Sequence, residues 1–171
     1  MKRFITFISS TFLITCVACG TQEDNGIVRP ALPLEYDTEI DAALMPYVQG
    51  FIQDCEQRRT DCRKRLRLVK EVKVVPITHK QDNPDLITVG LCYKNLVASK
   101  VHISDEILKN SGYYIRAVVY HELGHCMYDL EHEGQDGRLM GEVMPSIFTI
   151  IQQWPTMVSE LFDQAQERHG P

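Results

Sequence analysis

The chain has 171 residues, 44% of them hydrophobic and 24% charged, with a formal charge of -5. This is ordinary globular composition, which excludes a disordered, collagenous or polytopic membrane protein and leaves room for one domain with a single core. No extended basic stripe is available to neutralise phosphates, so nucleic acid is not an expected partner.

Lys2 and Arg3 precede an apolar run over residues 4–18, which is short for a permanent membrane span and predicts an export signal. The run closes on Cys16-Val17-Ala18-Cys19-Gly20, a small residue before a cysteine and then polar residues, similar to a bacterial lipobox. Cys19 is the expected lipidation site, and Cys16, after Leu13-Ile14-Thr15, is the competing one. Residues 1–19 are therefore expected to be a lipoprotein signal segment, 20–35 a tether without periodicity, and 36–171 the folded domain. The expected location is the bacterial cell envelope, lipid-anchored at a membrane, or the exterior if the signal is a plain secretory one. Past Cys19 the chain keeps Cys55, Cys62, Cys92 and Cys126, an even number suited to disulfides in an exported chain. Of the three connectivities, Cys55 with Cys62 and Cys92 with Cys126 is favoured, because the first pair brackets a short polar segment.

From residue 38, Ile40, Leu44, Tyr47, Val48, Phe51 and Ile52 recur at helical spacing and predict a long first helix, unless Pro46 moves its start to about Met45. Eight basic residues lie between Arg58 and Lys73, interleaved with apolar and acidic ones, and read as a solvated face. Valine-rich 66–77, with 86–93 and 100–104, reads as three strands of a small sheet. Residues 113–129 carry Ile115, Val118, Val119, Leu123, Cys126 and Met127 at helical spacing, and a last helix is expected from about Pro155, with Met157, Val158, Leu161 and Phe162 inward. The fold class expected is α+β, monomeric.

Within the second of these helices stands His121-Glu122-Leu123-Gly124-His125. Two imidazoles four residues apart on a helix project to one side and can converge on one cation, for which zinc is the natural occupant. Glu122 adjoins the first ligand and can serve as the general base that takes a proton from a metal-activated water and returns it to a leaving amine. A third ligand has to come from nearby. Cys126 projects about 100° away from His125 and suits a disulfide better. Between Glu131 and His132, neutral imidazole is the preferred zinc ligand. His79, His102 and His169 lack ligand spacing and are assigned no role, and Tyr120 and Tyr128 read as packing residues.

The string from His121 to His132, HELGHCMYDLEH, resembles the zinc-binding helix of metzincin metallopeptidases, and looks closest to bacterial lipoprotein-type metallopeptidases with a HELGHC motif. The resemblance spans roughly residues 87–162, including Gly90-Leu91-Cys92 and Val143-Met144-Pro145. It departs in two places: Asp129 stands at the turn glycine, which Asp tolerates among few residues, and the third histidine falls one residue late, so Glu131 stays open. The resemblance implies a zincin-like fold with a small twisted sheet, a long N-terminal helix, a zinc helix and a C-terminal helix. It also implies Met144 packed beneath the ligands, with Met140 as the fallback. A peptide or protein substrate would bind extended along the edge of the sheet, near residues 101–104. The competing expectation is a non-catalytic surface lipoprotein or binding module that uses zinc for stability.

Overall fold

The computed structural model describes residues 38–59, 61–77, 88–134 and 137–170. Cys16, Cys19 and the tether lie outside them, as does His79. Chain order runs β1 (Glu39–Ile40), α1 (Met45–Glu56), α2 (Cys62–Leu66), β2 (Val69–Val75), β3 (Gly90–Lys94), β4 (Ser99–Ser104), a 3-10 turn (Asp105–Lys109), α3 (Gly112–Tyr128) and α4 (Ile147–His169). The class is α+β, as expected from the sequence.

The first helix starts at Met45, so Pro46 sits in its first turn, where the missing N–H is no loss. Glu39 and Ile40 instead enter the sheet, beside Glu71 and Val72 in parallel. The Asp41 carboxylate holds this entry by accepting from the Val74 backbone N at 2.7 Å. The strand expected from residue 66 begins later, because Leu66 closes the short helix α2 and faces the core.

Sheet order is β1-β2-β4-β3; β1, β2 and β4 are parallel and β3 is antiparallel to β4. Lys70 forms a bulge between Val69 and Glu71, which lets Val69 and Val72 both face inward although they are three residues apart. With Val101 and Ile103 they form the buried face, while Glu71, Lys73, Lys100 and His102 lie on the other, joined by ion pairs. His102 is thus a satisfied surface residue.

Against the buried face lies α3, capped by Ser111, whose hydroxyl accepts from the Tyr114 N at 3.4 Å. Most of its residues are buried on all sides, the pattern of a central helix and not of a surface one. Tyr120 donates its hydroxyl to Asp54 at 2.7 Å, and Tyr128 sets its hydroxyl 2.9 Å from the Cys55 sulfur, so both are packing residues. α4 begins at Ile147 behind its cap Ser146, well before Pro155, because Ile150 and Trp154 extend its inward stripe by two turns. Pro155 deprives the Ile151 carbonyl of its helical donor at an exposed position, where water can serve instead.

Both favoured disulfides are present, Cys55–Cys62 with Cα atoms 6.0 Å apart and Cys92–Cys126 with Cα atoms 5.6 Å apart. Such bridges belong to an oxidising compartment. Among the described residues no helix is long and apolar enough to cross a membrane.

Candidate metal centre

His121 and His125 lie one turn apart on α3, and the chain then reverses at Asp129, which adopts φ 55° and ψ 30°, the left-handed conformation normally given to glycine. Its backbone N–H caps α3 on the Gly124 and His125 carbonyls, and its carboxylate pairs with Lys94 of β3 and with Arg168 of α4 at 3.2 Å. This reversal returns His132 toward the helix. The Nε2 atoms of His121 and His125 are 2.9 Å apart, and those of His121 and His132 are 3.1 Å apart. Ligand atoms of the three residues all lie within 4.8 Å of one another, so His121, His125 and His132 form a group that could hold a metal ion. Glu131 is not in this group; it is exposed and lies 3.4 Å from Arg168.

Backbone carbonyls set the ring tautomers. His121 Nδ1 donates to Leu139 O at 2.7 Å and His125 Nδ1 donates to Leu130 O at 2.5 Å. With each Nδ1 carrying the proton, both Nε2 lone pairs are bare and face each other, an arrangement that a cation between them satisfies and that hydrogen bonding does not. Zinc at 2.0–2.1 Å from each nitrogen spaces tetrahedral ligands about 3.3 Å apart, within a few tenths of an ångström of the separations found. Burial, and then the charge of His125, brings the His121 pKa down to about 3, and burial lowers that of His125 as well. Both rings are therefore neutral, the form that ligates metal, at ordinary pH.

Glu122 is buried and its carboxylate hydrogen-bonds to no described residue. Burial raises its pKa to about 8. The carboxylate lies against Gly90 of β3, where an added Cβ would come within 2.6 Å of Oε1. Gly90 is thus required by close approach, and the Glu122 carboxylate sits beside β3. Under the helix, Gly124 plays a similar part: an added Cβ would meet the Met140 sulfur at 2.8 Å. Met140, fully buried, therefore packs against α3, and the Glu133 N to Met140 O bond at 2.8 Å with the Leu139 to His121 contact holds its loop there. Met144 lies four residues on, half-buried at the margin of the core.

The expected edge at residues 101–104 is corrected. β4 is paired on both sides, by β2 and β3, so it has no free backbone groups for another strand. Among the described residues β3 is paired on one side only, by β4, and it is tied to α3 by Cys92–Cys126. Of the remaining histidines, His169 is held 2.6 Å from the Tyr128 carbonyl. The residues that pattern reading missed act through backbone: the carbonyls of Leu130 and Leu139 carry no side-chain signal. Gly90 stood in a segment singled out by resemblance, and Gly124 within the motif itself.

No family model matches the sequence, and neither a curated protein nor a solved structure matches it.

Proposed function

We propose that the chain is a zinc-dependent endopeptidase of zincin-like fold, with His121, His125 and His132 as ligands and Glu122 as general base. The observation that carries this reading is Glu122: a carboxyl residue buried without a described hydrogen-bond donor, one residue from a proposed ligand, against β3, which among the described residues is paired on one side only. A metal site serving stability alone has no use for such a group.

Zinc, when bound, supplies Lewis acidity toward a scissile carbonyl and water. Glu122 accepts a proton from the attacking water as its oxygen bonds to the carbonyl carbon, then delivers that proton to the amide nitrogen as the C–N bond breaks. A raised pKa suits a group that must both take and release a proton near neutrality. The backbone of β3 binds the peptide as an added strand, its N–H and C=O groups orienting the bond over Glu122. Carbonyl oxygens of Leu130 and Leu139 keep the imidazoles in register throughout.

The test compares wild type with Glu122→Gln for zinc content and for cleavage of a broad peptide library. Equal zinc with cleavage lost only in the variant supports the proposal, whereas equal cleavage by both overturns it. The proposed setting is the bacterial envelope, with the chain held at a membrane through lipidated Cys19.

A further inference from the structure

Because β1, β2 and β4 are parallel and β3 opposes them, the starts of the first three strands and the end of β3 meet at one end of the sheet. Two turns project there. In the β3–β4 turn, Asn95 N donates to Ala98 O at 3.0 Å, and the Asn95 side-chain oxygen accepts from the backbone N of Val97 at 2.9 Å and of Ala98 at 2.8 Å. This ring of bonds closes the turn without using the side chains at its tip. Those side chains are Leu96 and Val97, 106% and 83% exposed. In the α2–β2 turn Leu68 is also exposed, and its carbonyl accepts from Ser99 N at 2.8 Å, tying the two turns together.

Local structure gives no reason for an apolar tip, since turn chemistry favours Gly, Asn, Asp or Ser. Each such side chain gains about 1.5–3 kcal/mol only when something covers it. The charges beside the tip indicate what does. Lys64, Arg67 and the bulged Lys70 are exposed and pair with no described residue, whereas Arg63, Arg65 and Lys94 nearby each have an acidic partner. In a chain of net charge -5 these three unpaired cations are gathered at one end. The chain also enters the fold here: Thr38 precedes β1, its Oγ1 donates to Leu66 O at 3.2 Å, and the residues before it include the apolar run 4–18.

We infer that this end of the sheet docks on an anionic phospholipid surface, with Leu96 and Val97 in the interface and Lys64, Arg67 and Lys70 against headgroup phosphates. Apolar side chains inserted beside cations are the combination that such surfaces bind. A second copy of the chain is the poorer occupant, because two such cationic ends repel. The inference does not rest on the peptidase reading.

The test uses the full chain carrying Leu96→Trp or, as control, Phe148→Trp; Trp154, the one native tryptophan, is buried and gives a constant background. Phe148 is exposed at the start of α4, about 30 Å along that helix from His169, which touches the end of α3. On phosphatidylglycerol/phosphatidylcholine vesicles the Leu96→Trp emission is expected to shift to the blue and be quenched by brominated lipid, with no such change on phosphatidylcholine alone or in Phe148→Trp. Adding Arg67→Gln and Lys70→Gln should lower the docked-to-free ratio about thirtyfold, at about 1 kcal/mol for each cation. Equal quenching of both tryptophans overturns the inference, as does an unquenched Leu96→Trp on chain bound to anionic vesicles. A blue shift without vesicles that grows with protein concentration also overturns it, in favour of a second copy.

Discussion

Gly90→Ala separates the proposed base from the proposed metal ligands. The added Cβ would lie 2.6 Å from Glu122 Oε1, 2.7 Å from its Cγ and 2.9 Å from its Cδ, against the roughly 3.5 Å at which non-bonded atoms rest. Relief requires the carboxylate to move by about 1 Å, and it is the far end of a flexible side chain, so the fold has little reason to yield. A reacting group misplaced by that much lowers rate on the order of a hundredfold, about 2.7 kcal/mol of transition-state stabilisation. The expected result is therefore a fall of about a hundredfold in kcat/KM on a fluorogenic peptide. Bound zinc, measured by elemental analysis, should be unchanged, and stability in urea should change by less than about 1 kcal/mol. Full activity in Gly90→Ala would show that the Glu122 position next to β3 is not the working one. Loss of zinc would refute the separation of base from ligands on which the reasoning depends.

Removing metal with a chelator should lower the Tm, and zinc at a hundred times its Kd should raise it by about 8 °C, equivalent to about 2.7 kcal/mol; His132→Ala should abolish most of that shift in a thermal melt. In the metal-free chain the folded pKa of His121 lies at about 3, below its ordinary value of 6.5, so the neutral ring's contribution is whole above pH 6.5 and is lost as pH falls toward 3. His121→Gln should flatten that part of an acid denaturation curve. Glu71, brought down to about 2 by hydrogen bonds from His102 and then Lys100, contributes above pH 4.5 and loses its contribution as pH falls toward 2; Glu71→Gln should remove this second limb. The bridges should differ in weight. Loop entropy assigns about 4 kcal/mol to Cys92–Cys126, which closes 34 residues, and about 2 kcal/mol to Cys55–Cys62, which closes 7, a ranking that paired Cys→Ser variants would test by urea unfolding.

How far the molecule could be read from its residues depended on whether the cause was local. His121, Glu122 and His125 follow from helical spacing within a single element, whereas Asp129 was marked as the turn position by the resemblance alone, its short side chain being one of few that tolerate a left-handed backbone. The start of α1 was not. Ile40 and Leu44 fit a helical stripe, but parallel pairing with β2, some thirty residues on, draws Ile40 into the sheet. The same non-local pairing hid the sheet edge: nothing within residues 100–104 reveals that strands on both sides cover β4.

Cys126 directly follows a proposed ligand, and this has a consequence for the order of assembly. In the nascent, reduced chain a thiolate beside His125 is a strong competitor for zinc, since soft sulfur binds it at least as well as imidazole does. Once Cys126 is joined to Cys92, that sulfur has no negative charge to offer, and the three imidazoles are the ligands left at this place. On the zinc reading, a chain oxidised before it meets zinc is expected to offer the imidazoles alone, and a chain exposed to zinc while reduced is expected to trap it in the wrong coordination. Cobalt added before and after oxidation would show this order as a sulfur-to-metal absorption band present only in the reduced sample.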